Sequence, residues 1–183
     1  MVSEGPQEKQ ATILGAGSFG TALAVHLARA GHSVRLWARD PALADAINER
    51  RSNPTYLPEL ILPENVCATS DLDRALGGAH LVISALPSHG TRDVMTRAVP
   101  FMEPGVPIVS ATKGLEEGSL LRMTELIGQI VGPSRPVAVV SGPSFAAEVG
   151  RGMPTAVVVA AAPTALWNHQ AATLERAVSS FVP

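Results

Sequence analysis

The chain contains 183 residues, of which 46% are apolar and 16% are charged, so it can bury a core and is unlike a disordered tail, a collagen or a coiled coil. The net charge of −2 and a longest basic run of Arg50-Arg51 argue against a nucleic-acid partner. The single cysteine, Cys67, excludes an intrachain disulfide and a cysteine-cluster zinc site, and it suits a reducing compartment. Lys9 and Lys113 are the only lysines, so the position of each carries information.

The sequence predicts neither a secretory signal nor a membrane-spanning segment. Residues 1–10 are polar and acidic, unlike the apolar part of a secretory signal, and they predict a disordered tail. The longest apolar run, residues 156–162, is far shorter than the ~20 residues that span a bilayer. We therefore expect one cytoplasmic domain over residues 11–183, with no membrane partner.

The first half of the chain alternates between short β-branched runs and Ala- and Leu-rich stretches at helical spacing. Gly31 is typical of a helix end, and Asp40-Pro41 is typical of a helix start. Three prolines predict an ordered loop over residues 52–65. The predicted strands are 11–14, 34–38 and 66–69, and the predicted helices are 18–29, 41–51 and a short one that ends at Leu76, capped by Ser70 or Asp71.

The second half continues the same alternation. The run at residues 81–86 is the strongest strand signal, because it is mostly apolar and is bounded by glycines and Pro87. An amphipathic helix is predicted over residues 119–131, with an apolar face formed by Leu120, Met123, Leu126, Ile127 and Ile130. The remaining predicted elements are helices at 88–99, 145–149 and 163–178 and strands at 106–111, 137–140 and 156–160.

Nearly continuous apolar strands that alternate with helices are typical of a parallel sheet covered on both faces. With right-handed crossovers, such a sheet forms a doubly wound α/β domain. We expect this Rossmann-like fold, with mostly parallel strands, for residues 11–183.

The segment from Gly15 to Gly20 reads GAGSFG and lies between the first predicted strand and helix, where a dinucleotide-binding motif must lie. Gly15 would permit the tight turn, Gly17 the approach of the backbone to a pyrophosphate, and Gly20 the packing of helix on strand. Free N–H groups at the helix start would bind the phosphates. The location favours cofactor binding over a purely structural turn, and the companion motifs of a protein kinase are missing.

Arg39 is the first charged residue at the end of the second predicted strand, where a ribose-binding side chain is expected. A guanidinium there would pair with a 2′-phosphate, so the sequence favours NADP(H) over NAD(H). Asp40 is the competing candidate for a ribose hydroxyl, although its place before Pro41 already explains it as a helix cap. The alternative for Arg39 is a solvated surface arginine.

Two further candidates come directly after predicted strands, at the edge where open α/β sheets bind ligands. Lys113 would point an ammonium into the cleft toward a phosphate or a carbonyl, or else lie on the surface. Ser144, after Gly142, is a candidate phosphate ligand, although a helix-cap function is the simpler interpretation. His89 also lies just past a strand end and is a further candidate for the cleft, but a surface or core function is favoured. The five histidines show no metal-binding spacing, and we predict no metal site.

Six short segments occur along the chain, and their combination in this order is more specific for a protein family than any single segment. They are GAGSFGTALA at residues 15–24, LWAR at 36–39, NPTYLP at 53–58, LPSH at 86–89, ATKGLE at 111–116 and SGPSFA at 141–146. In this combination the sequence resembles the soluble NAD(P)-dependent glycerol-3-phosphate dehydrogenases.

The resemblance implies reversible hydride transfer between dihydroxyacetone phosphate, a triose phosphate, and sn-glycerol 3-phosphate, a precursor for phospholipid biosynthesis. In addition to the three glycines, it implies that the cofactor contacts Ser18, Phe19, Arg39, Tyr56, Lys113 and Ala146. It implies that the substrate contacts Lys113, Gly142 and Ser144. A cationic lysine and backbone N–H groups suit such an anionic substrate.

Members of that family continue into a second, mainly helical domain, which supplies the proton-transfer lysine and much of the phosphate site. The sequence ends at Pro183 without a match to that domain, so we predict no catalytic residue within it and little or no turnover. Two alternatives stay open: a related two-domain dehydrogenase, such as a ketopantoate reductase or a 6-phosphogluconate dehydrogenase, and a non-catalytic NADP(H)-binding module. A homo-oligomer also stays open, since a face normally covered by a second domain would be apolar.

Overall fold

Nine strands and six α-helices occur along residues 9–161, the part of the chain that the computed structural model describes. The strands are β1 Gln10–Leu14, β2 Ser33–Trp37, β3 Ser52–Asn53, β4 Leu57–Ile61, β5 Val66–Thr69, β6 Leu81–Ser84, β7 Ile108–Ser110, β8 Val137–Ser141 and β9 Val158–Ala161. The helices are α1 Ser18–Arg29, α2 Pro41–Arg50, α3 Leu72–Leu76, α4 Ser88–Ala98, α5 Met123–Val131 and α6 Ala146–Arg151, and a 3₁₀ turn, Val99–Phe101, comes after α4.

Seven strands form one sheet in the order β5-β2-β1-β6-β7-β8-β9. All neighbouring pairs are parallel except β8 and β9, which are antiparallel. The chain builds outward from β1 to β5 on one side and then from β6 to β9 on the other. Because β1 and β6 are paired, the strand order reverses between them, and this is where such sheets bind ligands. The predicted doubly wound, mostly parallel fold is confirmed.

The core lies on both faces of the sheet, because successive residues of a strand point to opposite sides. Ile13 of β1 belongs to a cluster with residues of α1, α2 and α6, whereas Leu14 belongs to a second cluster with residues of α3, α4 and α5. Asp40 and Asp71 begin two of these helices by accepting hydrogen bonds from the backbone N–H groups of the next turn. These caps agree with the sequence.

The prediction of a loop over residues 52–65 is wrong, because β3 and β4 form an antiparallel hairpin there. The side-chain oxygen of Asn53 accepts hydrogen bonds from the N–H groups of Thr55 and Tyr56 and closes the turn. Leu57 and Leu60 of β4 are buried in the core. Prolines are compatible with such a two-stranded ribbon because its outer edges need no ladder partner.

The prediction of a helix over residues 119–131 is wrong for its first turn, because α5 begins at Met123. Leu120 has a φ of +58° and is 70% exposed, so it does not join the apolar face of the helix. Residues 116–121 instead form a tight turn in which the Glu116 N–H donates to the Leu121 carbonyl. The Glu125 carboxylate accepts from the Arg122 N–H and fixes the helix start.

The other predicted elements within the described residues are present, with ends that differ by at most two residues. The predicted tail over residues 1–10 lies outside the described residues except at its last two positions, and Gln10 already belongs to β1. The predicted helix at 163–178 lies outside them entirely. None of the helices within residues 9–161 combines the length and apolar character that a membrane crossing requires.

Candidate functional site

A cleft of about 740 Å³ lies at the carboxyl ends of β1, β2, β6 and β7, over the point where the strand order reverses. Its volume is within the range of small-molecule and cofactor sites. Its walls come from the segments just after these strands, from the β3–β4 turn and from the start of α6. The lining residues are 15–19, 37–40, 85–87, 111–113 and 144–146, with Leu43, Tyr56 and His89. The cleft therefore contains all the predicted site residues except Gly20 and Gly142.

In the glycine loop between β1 and α1, packing requires two of the three glycines and does not require the third. Gly15 has a φ of +115°, and a Cβ there would lie 2.6 Å from the Ala85 carbonyl oxygen. A Cβ at Gly20 would lie 1.9 Å from the Gly15 carbonyl oxygen. Gly17 lines the cleft, and apart from its chain neighbours no protein atom lies within 4 Å of its Cβ position. The loop thus leaves open space at Gly17, where a pyrophosphate needs close access to the backbone.

The β3–β4 hairpin is bonded to the glycine loop through Asn53, a residue that the sequence motifs alone did not identify. Its buried amide nitrogen donates to the Ala16 carbonyl at 2.8 Å and to Thr21 Oγ1 at 2.8 Å. Ser18 Oγ donates to the Tyr56 carbonyl at 2.9 Å, which makes a second link. Tyr56 is consequently held at the cleft wall, where it is half exposed. The only available signal was the place of Asn53 within the NPTYLP segment.

Arg39 lies at the end of β2, exposed in the cleft, with its guanidinium against the first turn of α4. A Cβ at Gly90 would lie 3.1 Å from Arg39 Nη2, so the absence of a side chain at Gly90 makes room for the guanidinium. Asp40 accepts a hydrogen bond from the Ala42 N–H at 2.9 Å and is confirmed as the cap of α2. His89, for which the sequence favoured a surface or core function, is exposed and also lines the cleft beside Gly90.

Lys113 lies just after β7, which is three places along the sheet from β2, the strand that precedes Arg39. Its Nζ lies 5.9 Å from the centroid of the Phe19 ring, within the range of a cation–π interaction. Among the described residues that line the cleft, Arg39 and Lys113 carry positive charge, and the single carboxylate, Asp40, is engaged as a helix cap. The cleft therefore favours an anionic ligand with charge at both ends.

Ser144 and Gly142 lie just after β8, and the structure distinguishes them. Ser144 is buried at the cleft wall, where its Oγ donates to the Gly142 carbonyl at 3.4 Å. It is not the cap of α6, because Phe145 precedes that helix. Gly142 does not line the cleft: a Cβ there would lie 2.5 Å from the Ala156 carbonyl oxygen, so the residue permits close approach of the segment that enters β9. Residues 9–161 contain no group of three or more potential metal ligands.

The residues present fit a nicotinamide dinucleotide, since the open backbone at Gly17, the two cations and the cleft volume match such a ligand. A glycine turn from β1 into α1 at the reversal point of a mostly parallel sheet defines a Rossmann-type dinucleotide-binding domain. The chain belongs to the NAD-dependent glycerol-3-phosphate dehydrogenase family, because the model of that family's N-terminal part matches residues 10–167. This match confirms the resemblance and decides against the alternative of a related two-domain dehydrogenase. The family is one of oxidoreductases.

Individual relatives agree with this assignment. The glycerol-3-phosphate dehydrogenase [NAD(P)+] of Xanthomonas campestris is 47% identical over 154 residues, which cover 84% of this chain and 45% of the relative. That of Myxococcus xanthus is 44% identical over 171 residues, or 92% of this chain and 50% of the relative. The crystal structure of glycerol-3-phosphate dehydrogenase from Coxiella burnetii superposes with a TM-score of 0.84 at 36% identity, over 93% of this chain and 50% of that one. The chain thus spans about half the length of the curated relatives it matches.

Proposed function

We propose that this chain forms the cofactor-binding half of an enzyme that oxidises sn-glycerol 3-phosphate with NADP⁺ to dihydroxyacetone phosphate, NADPH and a proton, and that catalyses the reverse reaction. The observation that carries the proposal is the position of Lys113 over Phe19, which brings the one lysine of the cleft next to the glycine loop. When bound, the nicotinamide ring supplies or accepts the hydride. The family membership supports the reaction class.

The chain's own groups bind the cofactor in two different ways. Backbone N–H groups at the start of α1, which no side chain caps, receive the pyrophosphate next to Gly17 and Ser18. The guanidinium of Arg39 pairs with the 2′-phosphate, and this pairing favours NADPH over NADH. Asp40 accepts the Ala42 N–H at Oδ1 as the cap of α2, and we assign the contact with the 2′-phosphate to Arg39 alone. Tyr56 and Ala146 form walls of the same cleft.

The substrate end of the cleft is formed by Lys113 and Ser144. An ammonium and a hydroxyl there suit an anionic triose phosphate and its carbonyl oxygen, because both stabilise negative charge. Gly142 contributes as the acceptor that orients the Ser144 hydroxyl. We further propose that the proton-transfer lysine lies outside these 183 residues, so that the chain alone turns over little or no substrate. A cytoplasmic location suits a small-molecule reaction of this kind.

Calorimetric titration of the 183-residue chain with NADPH and with NADH tests the cofactor proposal. We expect both to bind, with a lower Kd for NADPH, and we expect dihydroxyacetone phosphate to bind to the NADPH complex. Failure of both dinucleotides to bind would contradict the cofactor site, and a lower Kd for NADH would contradict the function of Arg39. NADPH oxidation that depends on dihydroxyacetone phosphate would contradict the proposal that the chain alone does not turn over.

A further inference from the structure

An ion pair connects α4 to the loop that carries Lys113. Arg92 of α4 donates to both carboxylate oxygens of Glu116, from Nε to Oε1 at 2.6 Å and from Nη2 to Oε2 at 2.8 Å. Ser119 Oγ donates to the same carboxylate at 2.5 Å. Two hydrogen bonds lower the pKa of Glu116 to about 2: the bond from Arg92 has the larger effect and the bond from Ser119 the next largest. The carboxylate is therefore ionised at neutral pH.

This pair differs from the two other ion pairs within the described residues. Those pairs, Arg97 with Asp93 and Arg122 with Glu125, join residues three or four positions apart at one helix or its start, so they connect nothing distant. Arg92 and Glu116 are separated by 24 positions and belong to different elements. A two-bond arginine–carboxylate pair fixes direction as well as distance. The Arg92–Glu116 pair can therefore determine where the loop lies.

The loop between β7 and Glu116 is short and is held at both ends. At its start, Thr112 is buried and its Oγ1 donates to the Ser84 carbonyl at 3.3 Å. Gly114 has a φ of +97°, and a Cβ there would be 3.7 Å from Ser88 Oγ, so the loop runs along the first turn of α4. Lys113 is exposed between these two attachments. The position of its ammonium over Phe19 depends on both of them.

We infer that Arg92 and Glu116 are positioning residues that hold Lys113 in the cleft and thereby strengthen the binding of the anionic cofactor. The inference rests on the proposed function, because it matters only if Lys113 contacts the ligand. Without the ion pair, the exposed residues 113–115 and the half-buried Glu116 have more conformations to lose on binding. That loss of conformational freedom weakens affinity even though neither Arg92 nor Glu116 touches the ligand. Neither residue lines the cleft.

A double-mutant cycle on the 183-residue chain tests this inference, with the Kd for NADPH as the measurement. Arg92→Met should raise the Kd about threefold to tenfold, in line with coupling between residues of one network. Arg97→Met is the matched control, because it replaces another arginine of α4, more than one helical turn from Arg92. It breaks only the pair with Asp93, so the Kd should not change. Arg92→Lys, which retains the charge but loses the two-bond geometry, should recover part of the affinity.

The decisive comparison is made in the background of Lys113→Met. If Arg92 acts through Lys113, Arg92→Met has no further effect on the Kd there. An equal effect in both backgrounds, or an effect of Arg92→Met no larger than that of Arg97→Met, overturns the inference. Thermal unfolding shows whether each variant folds. If Arg92→Met does not fold, Glu116→Gln replaces it in the same cycle, because glutamine preserves the shape of the side chain. Absence of NADPH binding by the unmodified chain would instead remove the proposed function, and the two failures are thus distinguishable.

Discussion

The glycine loop and the Lys113 loop both line one cleft, but different forces hold them in place. The glycine loop is fixed by backbone atoms in near-contact and by the buried amide of Asn53. The Lys113 loop is fixed on its outer side by an ion pair at the surface, between Arg92 and Glu116. Buried steric contacts are insensitive to pH and salt, whereas surface charges are not. We therefore expect the glycine loop to form a rigid wall of the cleft, and the Lys113 loop to form a wall whose position depends more strongly on pH and salt.

The largest effect is expected at Gly20, in the rigid wall. Gly20→Ala should lower the free energy of unfolding by about 3 kcal/mol or more, because its Cβ would overlap the Gly15 carbonyl, whose position the sheet fixes. Urea unfolding measures this loss. Gly17→Ala is the matched variant: beyond its chain neighbours the added methyl meets no protein atom within 4 Å, so stability should change by less than about 1 kcal/mol while NADPH binding weakens. Equal destabilisation by both substitutions would contradict the steric account of this wall.

The second effect tests the buried amide that ties the hairpin to the glycine loop. Asn53→Ala should destabilise the fold by ~2 kcal/mol, because it leaves the Ala16 carbonyl and the Thr21 hydroxyl without their buried partner. The same urea measurement applies. Thr55→Ala, in the same turn but exposed and joined to Asn53 only through its backbone N–H, is the control and should be neutral. A neutral Asn53→Ala would show that the hairpin does not support this wall.

The third prediction concerns cofactor affinity, and it compares the contribution of the glycine-loop backbone with that of the Arg39 side chain. The glycine turn presents groups that NADPH and NADH would meet alike, whereas Arg39 would meet only the 2′-phosphate. Arg39→Asp should thus raise the Kd for NADPH about tenfold or more, equivalent to ~1.4 kcal/mol, with a smaller change for NADH. Titration with both dinucleotides measures the difference. Gly90→Val displaces the Arg39 guanidinium and should also reduce the preference for NADPH over NADH. Equal losses of affinity for both cofactors would count against the 2′-phosphate contact.

The smallest effect concerns pH and the wall that depends on charge. The folded protein lowers the pKa of Glu116 from an ordinary 4.5 to about 2, chiefly through the Arg92 hydrogen bond. A lowered carboxyl pKa stabilises the fold above the unfolded value and loses that contribution as the pH falls through the folded value. Glu116→Gln should therefore be less stable than the unmodified chain at pH 7, and the difference should shrink below about pH 4.5 and vanish near pH 2. Thermal unfolding across this range measures it, and a difference independent of pH would exclude the ionic contribution.

Local patterns made much of the fold and most of the cleft predictable. Gly15, Gly17 and Gly20 indicated a strand-to-helix turn because their spacing reflects contacts within a few residues. Arg39 and Lys113 were predictable because parallel strands end at one edge of a sheet and direct the next residues of the chain toward the same place. By contrast, Leu120 fits the helical periodicity that predicts an apolar face, but the bond from Arg122 to Glu125 begins α5 later and leaves Leu120 at the surface.

The sequence by itself determined the family, the place of the glycine turn and the order of the described strands and helices apart from the β3–β4 hairpin. The turn and the elements were predictable because each depends on interactions over short stretches of chain. Only the tertiary structure decided that Asn53 fastens a hairpin to that turn, that Gly142 is packed against residue 156 rather than open to the cleft, and that Arg92 reaches Glu116. These contacts join positions 14 to 37 residues apart. Spacing along the chain does not encode them, since they arise only when the sheet brings distant segments to within a few ångströms.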